Sequence, residues 1–201
     1  MPDVNSDEIN IQGVKYQPWK GPGFDSDDKR VLVLGESFYG VVPLDINQIG
    51  PYKAANNKFN KDESRRWARH FHKIEKLFSA WPCSDTRELW GRIAYYNYIS
   101  ESVGKTPGVR PTDEMWLNAI EPFKAVLLHL KPRRVLVLGT GGNGLWGKLL
   151  ASPIVKKAEN GVFRFLDEQA GPVLRVIGHP ASRGFYTKLP QYRQTVKELL
   201  E

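Results

Sequence analysis

Three short aliphatic runs, each closed by a glycine, constrain the fold of this chain more than any other feature. They are Val31-Leu32-Val33-Leu34 before Gly35, Arg134 to Leu138 before Gly139, and Leu174 to Ile177 before Gly178. Runs this short and this apolar read as central strands buried on both faces. Between them lie stretches of helical periodicity. Glu63 to Phe78 places Trp67, Phe71, Ile74 and Phe78 on one stripe. Asp85 can cap a helix carrying Leu89, Trp90 and Ile93, and Thr112 can cap another that reaches Leu130. Leu145 to Leu150 and Gln191 to Leu200 are further helical segments, while Ala94 to Ile99 is aromatic and strand-like. Strands alternating with helices predict an α/β protein with a parallel sheet covered on both faces.

The 201 residues suffice for one sizeable core. Residues 1–28 are polar and rich in breakers, so they read as an N-terminal arm with one short strand near Val14-Lys15-Tyr16, leaving 29–201 as the domain. Val41 to Asn60, with Pro43, Gly50-Pro51 and Asn56-Asn57, reads as a long irregular loop. Val162 to Leu166 alternates as an edge or hairpin strand does. Cys83 is the single cysteine, which excludes an internal disulfide and a cysteine-held metal cluster. The acidic, polar start Met1 to Glu8 does not resemble a leader, and no run approaches the ~20 apolar residues of a membrane span. A cytoplasmic protein is expected, with no membrane partner and no metal. The excess of 29 Lys plus Arg over 22 Asp plus Glu gives a net charge of +7, which suits a polyanionic partner.

Strand ends in open α/β sheets gather ligand-handling groups, and two turns here carry them. Gly35-Glu36-Ser37-Phe38-Tyr39-Gly40 sets three reactive side chains between two glycines. Glu36 could orient a water or favour a positive centre, and Tyr39 could stack on a flat ligand. Gly178-His179-Pro180 repeats the arithmetic of strand, glycine and polar group; a neutral His179 could donate to an oxygen gaining charge. Asn97, inside an aromatic strand, is poorly matched to its propensity, and its amide complements a nucleobase edge. Arg183-Gly184-Phe185-Tyr186-Thr187-Lys188 is basic and aromatic, as a loop facing DNA would be. Gly139 to Gly144 looks phosphate-friendly but lacks the Lys-Ser/Thr ending of a P-loop.

Gly35-Glu36-Ser37-Phe38-Tyr39, Asn97, Arg134 to Gly139 and His179-Pro180-Ala181-Ser182-Arg183 occur in the order found in uracil-DNA glycosylases, and the chain resembles a divergent member of that superfamily over approximately residues 30 to 190. The resemblance implies a three-layer α/β/α sandwich around a central, mostly parallel four-stranded sheet. It also implies a glycosylase that flips a damaged base from single- or double-stranded DNA and hydrolyses its N-glycosidic bond without a cofactor. By analogy Asn97 pairs with the base edge, His179 stabilises the departing base, and Tyr39 crowds out a methyl group. Phe59 would stack on the base, while Ser182, Arg183 and Lys188 would meet DNA. The first motif departs from the family pattern: Phe38 replaces a proline, and Ser37 stands where several branches place an Asp or Asn that positions water. Glu36 matches the glutamate on which another branch relies. Two alternatives remain from the residues. One is a serine esterase of the GDSL type, with Ser37 as nucleophile and His179 as base. The other is a non-catalytic module of the same fold that binds nucleic acid or a base.

Overall fold

The computed structural model describes residues 9–60, 65–99, 101–106, 108–158, 162–167 and 169–201. Met1 to Glu8 and the expected helix start at Glu63 lie outside them. In chain order the elements are β1 (Trp19–Lys20), β2 (Val31–Gly35), α1 (Ile46–Ala55), α2 (Arg65–Leu77), α3 (Thr86–Arg92), β3 (Ala94–Asn97), α4 (Asp113–Asn118) and α5 (Ile120–Leu130). There follow β4 (Arg134–Leu138), α6 (Leu145–Leu150), β5 (Val155–Lys157), β6 (Phe163–Phe165), β7 (Val173–Ile177) and α7 (Leu189–Leu200).

The protein is a mixed α/β fold. Among the described residues its sheet has seven strands in the order β1-β3-β2-β4-β7-β6-β5, rather than the four expected. The middle strands β3, β2, β4 and β7 pair in parallel. Three short antiparallel strands extend them: β1 against β3, and the β5–β6 hairpin against β7. β6 falls in the alternating run Val162 to Leu166, read as an edge or hairpin strand, whereas β1 and β5, of two and three residues, carry too little periodicity to stand out in a sequence.

Alternation along the central strands sends side chains to two cores. Leu32, Leu34, Val135, Val137 and Leu174 pack with Trp116, Phe123 and Leu127 of α4 and α5 and with Leu145 and Leu149 of α6. Val31, Val33, Leu136, Leu138 and Ile177 pack with helices α1, α2, α3 and α7 through Ala54, Phe71, Ile74, Trp90 and Val196. Helices therefore cover both faces. Asp85 and Thr112 cap α3 and α4 as expected, accepting from the Glu88 and Met115 backbone N–H groups.

Two expectations about organisation change. From residue 9 onward the expected arm belongs to the core: Ile9, Ile11, Val14, Tyr16, Trp19 and Phe24 are buried, and the strand sits at Trp19–Lys20. The loop expected over Val41 to Asn60 contains α1, with Pro51 inside the helix. A Cβ on Gly50 would overlap the Phe71 ring, so that glycine is there for close packing against α2. Tertiary contact outweighs the local breaker signal of Gly50-Pro51.

Candidate active site

Strand order reverses at β2 and β4, because β3 lies on one side of β2 and the later strands lie on the other. Such a switch point opens a crevice outside the carboxyl ends of the strands. The crevice here is a cleft of about 1170 Å³, lined by Glu36, Ser37, Tyr39, Asn97, His179, Ser182 and Lys188 among others. Seven of the nine residues singled out in the sequence thus share one cavity. Phe59 and Arg183 do not line it. Phe59 packs behind the wall, stacked on Phe71 and edge-on to Trp67 and His72. Arg183 is exposed on the loop that follows His179.

Glu36 is held rather than free. Its Oε1 lies 2.7 Å from Arg110 Nη1, and its Oε2 accepts from Arg110 Nη2 and from the Leu145 backbone N–H, each at 3.0 Å. Arg110 Nη2 also donates to the Asn143 carbonyl at 2.8 Å. The carboxylate therefore ties the first turn to the Gly139–Gly144 loop and occupies the position an anion would take before α6. That loop holds Glu36, not a phosphate. The Arg110 guanidinium, the partner that sequence reasoning missed, comes from a Gly/Pro-punctuated connection without periodicity.

His179 lines the cleft with one ring nitrogen engaged by the backbone. Its Nδ1 accepts from the Ala181 backbone N–H at 3.1 Å, so the neutral ring carries its proton on Nε2. Lys73 Nζ donates to the Pro180 carbonyl at 2.6 Å and steadies the same turn. Burial holds the His179 pKa below the usual histidine value; Glu36 opposes this, whereas Lys73 and Arg110 reinforce it. The tautomer is the reverse of what a serine esterase requires, where Nδ1–H donates to an acid and Nε2 accepts from the serine. No hydrogen bond joins Ser37 to His179 among the described residues.

Asn97 ends β3 opposite Gly35. Its Oδ1 accepts from the Tyr95 hydroxyl at 3.1 Å, and its Nδ2 donates to Asn47 Oδ1 at 3.1 Å. The Tyr95 oxygen lies 3.4 Å from His70 Nε2, and burial pushes its phenol pKa up. His70 in turn sits with its ring centroid 5.4 Å from that of His179. His70 was legible: it falls three residues after Trp67 and four before Ile74, a polar group on the apolar stripe. Among the described residues no group of three His, Cys, Asp or Glu is placed to hold a metal ion. No protein-family model matches the chain, and no curated protein matches it either.

Burial, with the nearby His179 and Lys73 acting in the same direction, pushes the His70 pKa down to about 3. Both histidines have folded values below the unfolded one, so the unfolded chain takes up protons first as pH falls. For His70 the associated stability is present above about pH 6.5 and is lost toward pH 3, with a slope of about 1.4 kcal/mol per pH unit between those values, and His179 contributes in the same direction. Urea titrations between about pH 7 and pH 4 should show this slope, and His70→Gln should flatten it. A wild-type profile that is level across that range contradicts the buried neutral pair.

Proposed function

We propose that this protein is a DNA glycosylase of the uracil-DNA glycosylase type, which flips a deaminated base out of DNA and hydrolyses its N-glycosidic bond. The finer reading of the fold, an α/β/α sandwich centred on four parallel strands, belongs to this proposal. The observation that carries it is the meeting of the Asn97 amide and the Nε2–H of a neutral His179 in one cleft at the sheet switch point. An amide matches a base edge, and a neutral imidazole donor matches an oxygen on which negative charge develops.

In the reaction the bond between the sugar C1′ and the base nitrogen breaks, and its electron pair leaves with the base. His179 Nε2–H donates to a base carbonyl oxygen as this charge builds, while the Glu36 carboxylate offsets the positive charge growing on the sugar. Water adds to C1′ and loses a proton, giving a free base and an abasic site. Ser37 lines the cleft without a side-chain hydrogen bond among the described residues and is the group available to hold that water. Tyr39, half-buried at the rim, limits the size of the base. Lys188 and Ser182 at the cleft and Arg183 beside it supply phosphate contacts, in keeping with the net charge of +7.

One observation favours a second reading. Glu36 is engaged by Arg110 and by the start of α6, which suits a module that binds a base without releasing it. Single- and double-stranded oligonucleotides carrying uracil, hypoxanthine or xanthine separate the two. Base release, seen as alkali-sensitive abasic sites, is the expected result. Tight binding with every strand left intact would assign the protein to the binding class.

A further inference from the structure

The polarity of the Asn97 amide can be traced to two backbone groups. Asn47, in the first turn of α1, accepts from the Asn97 backbone N–H through Oδ1 at 3.1 Å and donates through Nδ2 to the Tyr16 carbonyl at 3.1 Å. A backbone N–H only donates and a carbonyl only accepts, so the Asn47 amide has one satisfying orientation. Its Oδ1 receives a second bond from the Asn97 side chain, and the donor there must be Nδ2. Asn97 Oδ1 is then left to the Tyr95 hydroxyl. A hydroxyl rotates to donate or accept, so Tyr95 follows the amide rather than setting it. Asn47 is 0% exposed, so a flipped amide would find no water to replace these partners.

Once these bonds are made, Asn97 keeps one Nδ2 proton and one Oδ1 lone pair for a ligand. We infer that Asn47 is a specificity-determining positioning residue: by locking Asn97 it restricts the cleft to bases that present a ring N–H beside a carbonyl. Uracil, hypoxanthine and xanthine present that edge. Cytosine and adenine present the reverse, a ring acceptor beside an amino group. Deamination of cytosine or adenine converts the second pattern into the first, so one fixed amide reads the chemical change itself. Guanine and thymine share the accepted edge, and their exclusion falls to other groups in the cleft. The inference rests on the base-binding part of the glycosylase reading.

Oligonucleotides carrying 2′-fluoro-2′-deoxyuridine or 2′-fluoro-2′-deoxycytidine resist cleavage and report binding alone. Wild-type protein should prefer the uridine probe by roughly 10- to 100-fold, the discrimination of a bidentate amide–base pair. Asn47→Leu removes the acceptor that orients Asn97, and the ratio should fall toward one. Asn47→Asp keeps that acceptor and should preserve the ratio even as urea unfolding shows lost stability. Tyr95→Phe should also preserve it. Equal binding of both probes by wild-type protein overturns the inference, as does a collapse in Tyr95→Phe or an unchanged ratio in Asn47→Leu. If Asn47→Leu does not fold, the wild-type, Asn47→Asp and Tyr95→Phe ratios decide. Selective binding without base release from any oligonucleotide sinks the glycosylase reading and leaves the inference standing. Uracil release with an unchanged ratio in Asn47→Leu sinks the inference alone.

Discussion

Replacing His179 with alanine should slow base release by about 10²–10³-fold, the typical effect of removing one donor that faces developing negative charge. The expectation follows from the tautomer. Because the Ala181 backbone N–H occupies Nδ1, the only proton on the neutral ring is on Nε2. Alanine cannot supply it. The turn itself should survive, since Lys73 still holds the Pro180 carbonyl and the Ser182 N–H still bonds to the carbonyl of residue 179. Circular dichroism and the urea midpoint should therefore change little while turnover collapses. The pH profile gives an independent check. With the His179 pKa held below its usual value, the rate should not decline as pH falls through about 6.5. Wild-type turnover in His179→Ala would remove this residue from the chemistry.

Gly35→Ala should also abolish base release, and it should lower stability by about 1–3 kcal/mol. The added Cβ would overlap Asn97 Oδ1 and lie 3.0 Å from the Tyr95 hydroxyl. Asn97 must leave its place, which strips Asn47 of a partner and removes the amide from the cleft. Gly35 is buried in β2, so the strand has no room to relax outward. Gly91→Ala is the control, because nothing lies within 4 Å of the position its methyl group would take and a helical alanine is the better helix former. That variant should keep full turnover. A Gly35→Ala protein as active and as stable as wild type would show that Asn97 is not held as described.

The parts of the site that could be read in advance are those carried by local pattern. Aliphatic runs ending at Gly35, Gly139 and Gly178 announce strands, and the polar groups one residue later announce a shared edge. His70 was legible in the same way, as a polar residue on an apolar stripe. Phe59 shows the opposite failure. The family resemblance makes this ring a stacking partner for the base, yet it packs on Trp67 and Phe71, because burying a large ring is favourable wherever a wall is near. Arg110 and Asn47 gave no advance signal. Each acts on a residue at least 50 positions away, through a hydrogen bond that no spacing rule encodes.

The central strands, most of the helices between them and the residue types at the strand ends were settled by the sequence alone, since burial on two faces demands continuous aliphatic runs. Tertiary structure decided which of those residues meet, which carboxylate is tied down and which way an amide points. Those outcomes depend on the polarity of hydrogen-bond partners brought together from distant segments, and only the folded chain places them within about 3 Å of one another.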